Sequence, residues 1–110
     1  MRTKKYIGEK EYEYLTGLLK TYAHIIEISD ESSLLRKSFQ GSKLAIATIM
    51  LSLDLSYTLT LEDCIIFGDM CLSCYNRATT SPDRIYWTSA YNEILTLIEK
   101  YFDIKLRRDI

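Results

Sequence analysis

An all-α fold, built as an antiparallel up-down four-helix bundle, follows from three features of the sequence. Apolar residues recur at spacings of three and four rather than two, which is the helical period. One proline and four glycines punctuate the chain, and no Asn-Gly or Asp-Gly hairpin signal occurs. The amphipathic segments are joined by two very short links and one slightly longer one, which favours antiparallel neighbours. The expected helices cover about 9–28, 31–54, 61–79 and 82–103, within one helical domain, 1–110, that has short basic ends.

In the first segment Tyr12, Leu15, Leu18, Leu19, Tyr22, Ile25 and Ile26 form one stripe. Glu13, Lys20, His24 and Glu27 fall opposite. Ser29 or Asp30 then offers an oxygen to the free N–H groups of the second helix, and Glu31 suits the positive end of its dipole. That helix carries Leu35, Phe39, Ile46, Ile49, Met50 and Leu53 on its apolar face, beside a row of small residues: Ser38, Gly41, Ala45, Thr48 and Ser52. A glycine within a helix costs up to about 1 kcal/mol relative to alanine. Close approach by a neighbouring backbone at Gly41 would offset that cost.

Residues 55–60, Leu-Ser-Tyr-Thr-Leu-Thr, break the pattern. Thr60, with Asp63 three residues later, resembles a capping box and starts the third helix. The Ser81-Pro82-Asp83 run supplies an N-cap serine, a proline at the first helical position and an acid in the first turn of the fourth. Trp87, Ala90, Tyr91, Ile94, Leu95, Ile98, Tyr101 and Phe102 line its inner face.

The third helix holds all three cysteines, two of them in the C-x-x-C spacing that often signals metal or redox chemistry. At about 100° per residue, Cys64, Cys71 and Cys74 share a side with Phe67, Tyr75 and Ala78. Glu62, Asp69, Ser73 and Asn76 occupy the other. Seven helical residues separate Cys64 from Cys71 by about 10 Å. Sulfurs on one zinc lie within about 4 Å of each other, so an unbroken helix forbids a shared ion. Cys71 lies some ten residues into its helix, far from the N-terminal N–H groups that stabilise a reactive thiolate. The thiols read as small core hydrophobes, with no metal and no cofactor.

Other chemistry is equally bare. His24 projects from a polar face with no serine or cysteine near it. No phosphate-cradling loop, nucleophile elbow or H-E-x-x-H helix is present. No catalytic residue is therefore assigned, and the chain reads as non-enzymatic. The balance of 14 basic and 15 acidic residues gives a net charge of -1, with no basic stripe for a nucleic-acid strand. The longest uncharged apolar stretch, 44–53, is too short to span a bilayer. An odd number of cysteines and no apolar leader point to a reducing, cytoplasmic setting.

The positive clue is an excess of apolar surface. On the third helix Ile66 and Met70 extend the apolar arc beyond what one bundle face needs, and Ile85 is similarly placed on the fourth. Tyr57 and Tyr86 lie near helix ends, where tyrosine favours interfaces. These five residues form the expected contact with another protein or a second copy, as in a small helical regulator, inhibitor or immunity-type binder. The alternative partner is a small nucleotide-like anion, stacked on tyrosines and held by Lys4, Lys5, Lys105, Arg107 and Arg108. An up-down bundle would gather those five cations at one pole.

Overall fold

The computed structural model describes residues 3–110. Four helices carry the chain, and a two-stranded sheet joins its start to its middle: β1 (Lys4–Tyr6), α1 (Glu9–Ile28), α2 (Leu34–Leu51), β2 (Thr58–Thr60), α3 (Leu61–Arg77) and α4 (Ser81–Phe102). The expected helices are present, with ends that move by up to three residues. Among the described residues no helix is long and apolar enough to cross a membrane.

The ends moved for reasons of local hydrogen bonding. Ser33, not Ser29 or Asp30, caps α2 by accepting from the Leu35 N–H. Ser29 instead donates back to the Ile25 carbonyl, and a turn from Asp30 to Ser33 separates the helices. At the other end Asp54 leaves the helix, where a carboxylate opposes the dipole. It accepts from the Ser56 and Thr58 N–H groups and from the Ser56 hydroxyl. Thr60 caps α3 through the Asp63 N–H, as its spacing requires. Thr80 rather than Ser81 caps α4, which moves Pro82 one position further in.

β1 pairs antiparallel with β2 in the register Lys4–Thr60, Lys5–Leu59 and Tyr6–Thr58. The pairing extends on both sides: the Ile7 N–H donates to the Tyr57 carbonyl at 2.8 Å, and the Leu61 N–H to the Thr3 carbonyl at 2.9 Å. This sheet is a departure from the all-helical expectation. It buries Ile7 and Leu59, which cover the end of the core. Three-residue strands are too short to show a period of two, so only the β-branched Thr58 and Thr60 hinted at them.

Helix packing places α4 at the centre. It rests most extensively on α2 and then on α3, while α1 packs on α2. The spatial order is therefore α1-α2-α4-α3, not a ring of sequence neighbours. Eight residues of α4, from Ala90 to Phe102, are buried, against one in α1. Ile94, Ile98 and Phe102 have no exposed surface at all. Each such side chain contributes about 1.5–3 kcal/mol by leaving water.

The α2–α4 seam is what the small residues of α2 are for. Ala45 is fully buried, the Ser38 and Ser89 hydroxyls share a hydrogen bond of 2.6 Å, and Gly41 meets the α4 backbone directly. α1 adds side-chain links across to α4: the Tyr22 hydroxyl donates to Glu93 at 2.5 Å, and the Lys100 ammonium lies 3.8 Å from the centre of the Tyr14 ring.

Candidate functional site

Because α4 takes the centre, α3 lies at the side of the molecule and its surplus apolar arc stays in solvent. Ile65 is 41% exposed, Ile66 59% and Met70 46%. Ile66 and Met70 are one helical turn apart, so they form a continuous strip with Ile65 at its margin. A shallow groove borders this strip, lined by Thr3 and Lys4 on one wall and by Glu62, Asp63, Ile65 and Ile66 on the other. The patch thus carries apolar surface flanked by both signs of charge.

The other expected contact residues are elsewhere. Ile85 and Tyr86, in the first turns of α4, are half-buried. The Tyr86 ring packs edge-on against Trp87 at 4.9 Å, and burial, with Cys71 nearby, raises its hydroxyl pKa. Tyr57 joins a different set of side chains, described next. Ile66 and Met70 are therefore the members of the expected interface that share one open face.

A cleft of about 450 Å³ opens between the end of β1, the start of α1 and the turn before β2. Tyr6, Tyr12 and Tyr57 supply its aromatic walls, and Glu9 and Glu13 its acidic groups. The Tyr12 and Tyr57 rings stand nearly perpendicular, 85° apart with centroids 6.0 Å from each other. Tyr57 has a φ of 58°, a left-handed conformation that an aromatic residue adopts only when its surroundings impose it. They do so here through the Tyr57 N–H donating to the Asp54 carbonyl and the Tyr57 carbonyl accepting from Ile7. The hydrogen bond from the Thr58 N–H, then that from the Ser56 hydroxyl, with Lys4 also near, holds the Asp54 carboxyl below its usual pKa. Sequence reasoning singled out Tyr57 but missed Tyr6 and Tyr12 as its neighbours. Only the strand pairing brings residue 6 beside residue 57.

Cys64 and Cys71 are buried, and Cys74 is half-buried, short of the full burial its arc suggested. Desolvation, with Asp63 beside one thiol and Cys74 beside the other, pushes both Cys64 and Cys71 up to about 12. Such thiols stay protonated and are poor nucleophiles. Arg77 donates to the Cys74 sulfur at 3.6 Å. Among the described residues no group of three or more His, Cys, Asp or Glu side chains is placed to hold an ion. His24 is exposed on α1.

The five cations expected at one pole are each placed beside acids. Lys5 pairs with Glu11 at 3.5 Å, and Lys4 lies near Asp54. The C-terminal three follow a chain that reverses direction at Asp103, whose φ of 55° and ψ of 47° are left-handed. Arg108 thereby returns along α4 to Glu99 at 2.8 Å and to the Thr96 hydroxyl at 3.3 Å. Arg107 faces Asp109 at 3.9 Å, and Lys105 sits near Glu99 and Asp103. The C-terminal segment is thus a docked strap rather than a frayed basic end.

Among the described residues, the fold and surfaces define a four-helix protein with a small sheet, an open apolar strip on α3 and a tyrosine cleft. Comparison with protein-family models, with curated proteins and with solved structures yields no match.

Proposed function

We propose that this is a non-enzymatic protein that acts by association, and that its primary partner is a second copy of itself. The observation that carries the reading is the Ile65, Ile66 and Met70 strip on α3, left open because α4 rather than α3 occupies the centre. Water contact with such a strip is unfavourable, and contiguous apolar patches of this kind favour protein contact. A second copy is favoured by the charges beside it. Lys4 on one wall of the bordering groove and Glu62 with Asp63 on the other give it both signs of charge, which a two-fold rotation can set opposite one another. The three free thiols suit a cytoplasmic, reducing setting, and a small binder of this form serves as a regulator, an inhibitor or an immunity-type protein.

Light scattering across a concentration series tests the reading. The wild-type chain should show a mass near twice 12.8 kDa. Ile66→Asp should shift it to the monomer with the thermal midpoint of the dissociated protein unchanged. A wild-type protein that remains monomeric at about 100 μM, where even weak specific dimers form, sinks it.

A further inference from the structure

We propose that the cleft between Tyr6, Tyr12 and Tyr57 is a binding site for a quaternary ammonium group. Four observations carry the assignment: the aromatic walls, the volume, the charge and the strained turn. The walls are aromatic: Tyr6, Tyr12 and Tyr57 all line the cleft and stay partly exposed, and the Tyr12 and Tyr57 rings, packed edge to face with centroids 6.0 Å apart, stand at 85°, so the cleft borders ring surfaces of more than one orientation. Ring faces are negative, and they attract cations that are too poorly hydrated to prefer water. The volume of about 450 Å³ also lies within the range of small-ligand pockets, about 300–1,000 Å³.

Charge decides the sign of the ligand. Glu9 and Glu13 are one turn apart on α1, where two like charges repel and destabilise the helix. Lys5 is already engaged by Glu11, and among the described residues neither Glu9 nor Glu13 has an ion-pair partner. The cleft also touches the N-terminus of α1, whose dipole favours an anion. That dipole is worth about half a positive charge, whereas the two carboxylates bring two negative ones. A cation wins. An unmethylated ammonium would have to shed tightly held water to enter, while a trimethylated one loses little and presents methyl groups to the rings.

The strained turn fits the same purpose. Tyr57 could sit in an ordinary conformation on a slack loop, yet the Asp54 hydrogen bonds and the Ile7 N–H lock it at φ 58°. Strain held at one residue by its surroundings is characteristic of a side chain fixed for recognition. The ammonium could belong to a free choline-type molecule or to a trimethyllysine side chain, and the chemistry recognised is the same.

Titration of the intact protein with choline, followed by NMR of the tyrosine ring protons, reads the site. Choline should move the Tyr6, Tyr12 and Tyr57 resonances together with a Kd of about 1 mM or tighter. The neutral isostere 3,3-dimethyl-1-butanol should bind at least about tenfold more weakly, because it has the shape without the charge. The Glu9→Gln, Glu13→Gln double variant, changed only at exposed helix positions, should weaken choline about tenfold and leave the thermal midpoint nearly unchanged, because relief of the like-charge repulsion offsets the lost interaction of Glu9 with the helix dipole. A trimethyllysine peptide that binds tighter than choline assigns the source to a protein side chain; equal affinity assigns it to a free small molecule. No shift at about 50 mM choline, equal binding of the isostere, or movement of the same rings by phosphate instead would overturn the proposal.

Discussion

Gly41 of α2 faces the backbone of Tyr86 in α4 so closely that a methyl group there would lie 2.9 Å from the Tyr86 carbonyl carbon and 3.2 Å from the Ala90 nitrogen. Its nearest neighbour would be the Tyr86 carbonyl oxygen, closer still. Both partners are helix backbone, so neither can swing aside as a flexible side chain would.

Gly41→Ala therefore pits two effects against each other. Helix propensity gains about 1 kcal/mol, and overpacking of the tightest seam costs more, about 3 kcal/mol or above, because whole helices must separate. The expected net loss is about 2 kcal/mol, seen as a lower urea midpoint with an unchanged slope. A variant as stable as the wild type would mean that α2 and α4 are not in contact at this point.

Gly17 gives the opposite outcome from the same chemistry. It lies exposed within α1, and a methyl group there would meet nothing within 4 Å. Gly17→Ala should stabilise by about 0.5–1 kcal/mol through the smaller entropy of the unfolded chain. Equilibrium unfolding of the two alanine variants side by side separates packing from propensity.

These glycines also show how much the sequence could say. Gly41 was legible because it falls in a row of small residues beside an apolar face, a pattern that signals close helix contact. The α4 core was legible for the same kind of reason, since an unbroken apolar stripe from Trp87 to Phe102 leaves little choice of face. Which helix would be central was not legible. α3 has the wider apolar arc, yet α4 is the one enclosed, and local periodicity cannot distinguish surface buried within the chain from surface kept for another. The tyrosine cleft was hidden more deeply, because Tyr6 and Tyr57 are joined by a strand pairing fifty residues long-range that neither segment announces.

The cysteines should divide into two classes. Cys74 is half-buried and should react with a thiol reagent in the native protein, whereas Cys64 and Cys71 should react only after denaturant is added. Alkaline pH should act on the same pair. Folded, both thiols hold their protons up to about 12; unfolded, they release them near 9.0. Their contribution to stability is thus complete below pH 9 and is lost as pH rises from 9 towards 12, where the unfolded chain binds fewer protons. Cys64→Ala should flatten the fall in the thermal midpoint over that window. A midpoint that drops between pH 6 and 8 would contradict the burial.

Glu99 is the latch for the C-terminal strap. Its two carboxylate oxygens accept from the Leu106 N–H at 2.9 Å and from the Arg108 guanidinium at 2.8 Å. Beyond it the Asp109 N–H reaches the Tyr91 hydroxyl at 3.4 Å, and Ile104, Leu106 and Ile110 pack against the core. The exposed residues of this segment are the charged ones, so it alternates between core and solvent in the manner of a strand, although it follows a helix. Read only for its three cations, it resembles a solvated tail; read for the period of its apolar residues, it is a cover. Charge-assisted hydrogen bonds are worth about 1.5–3 kcal/mol when sheltered and less when partly wet, as these are. Glu99→Ala should therefore cost about 1–2 kcal/mol and release the Leu106 and Asp109 amides to rapid hydrogen exchange. Glu99→Gln, which keeps an acceptor for Leu106 but not the charge for Arg108, should lose less. Protection at Leu106 that survives Glu99→Ala would show that the apolar contacts alone hold the strap, and the carboxylate would then be an ornament of the fold rather than its fastening.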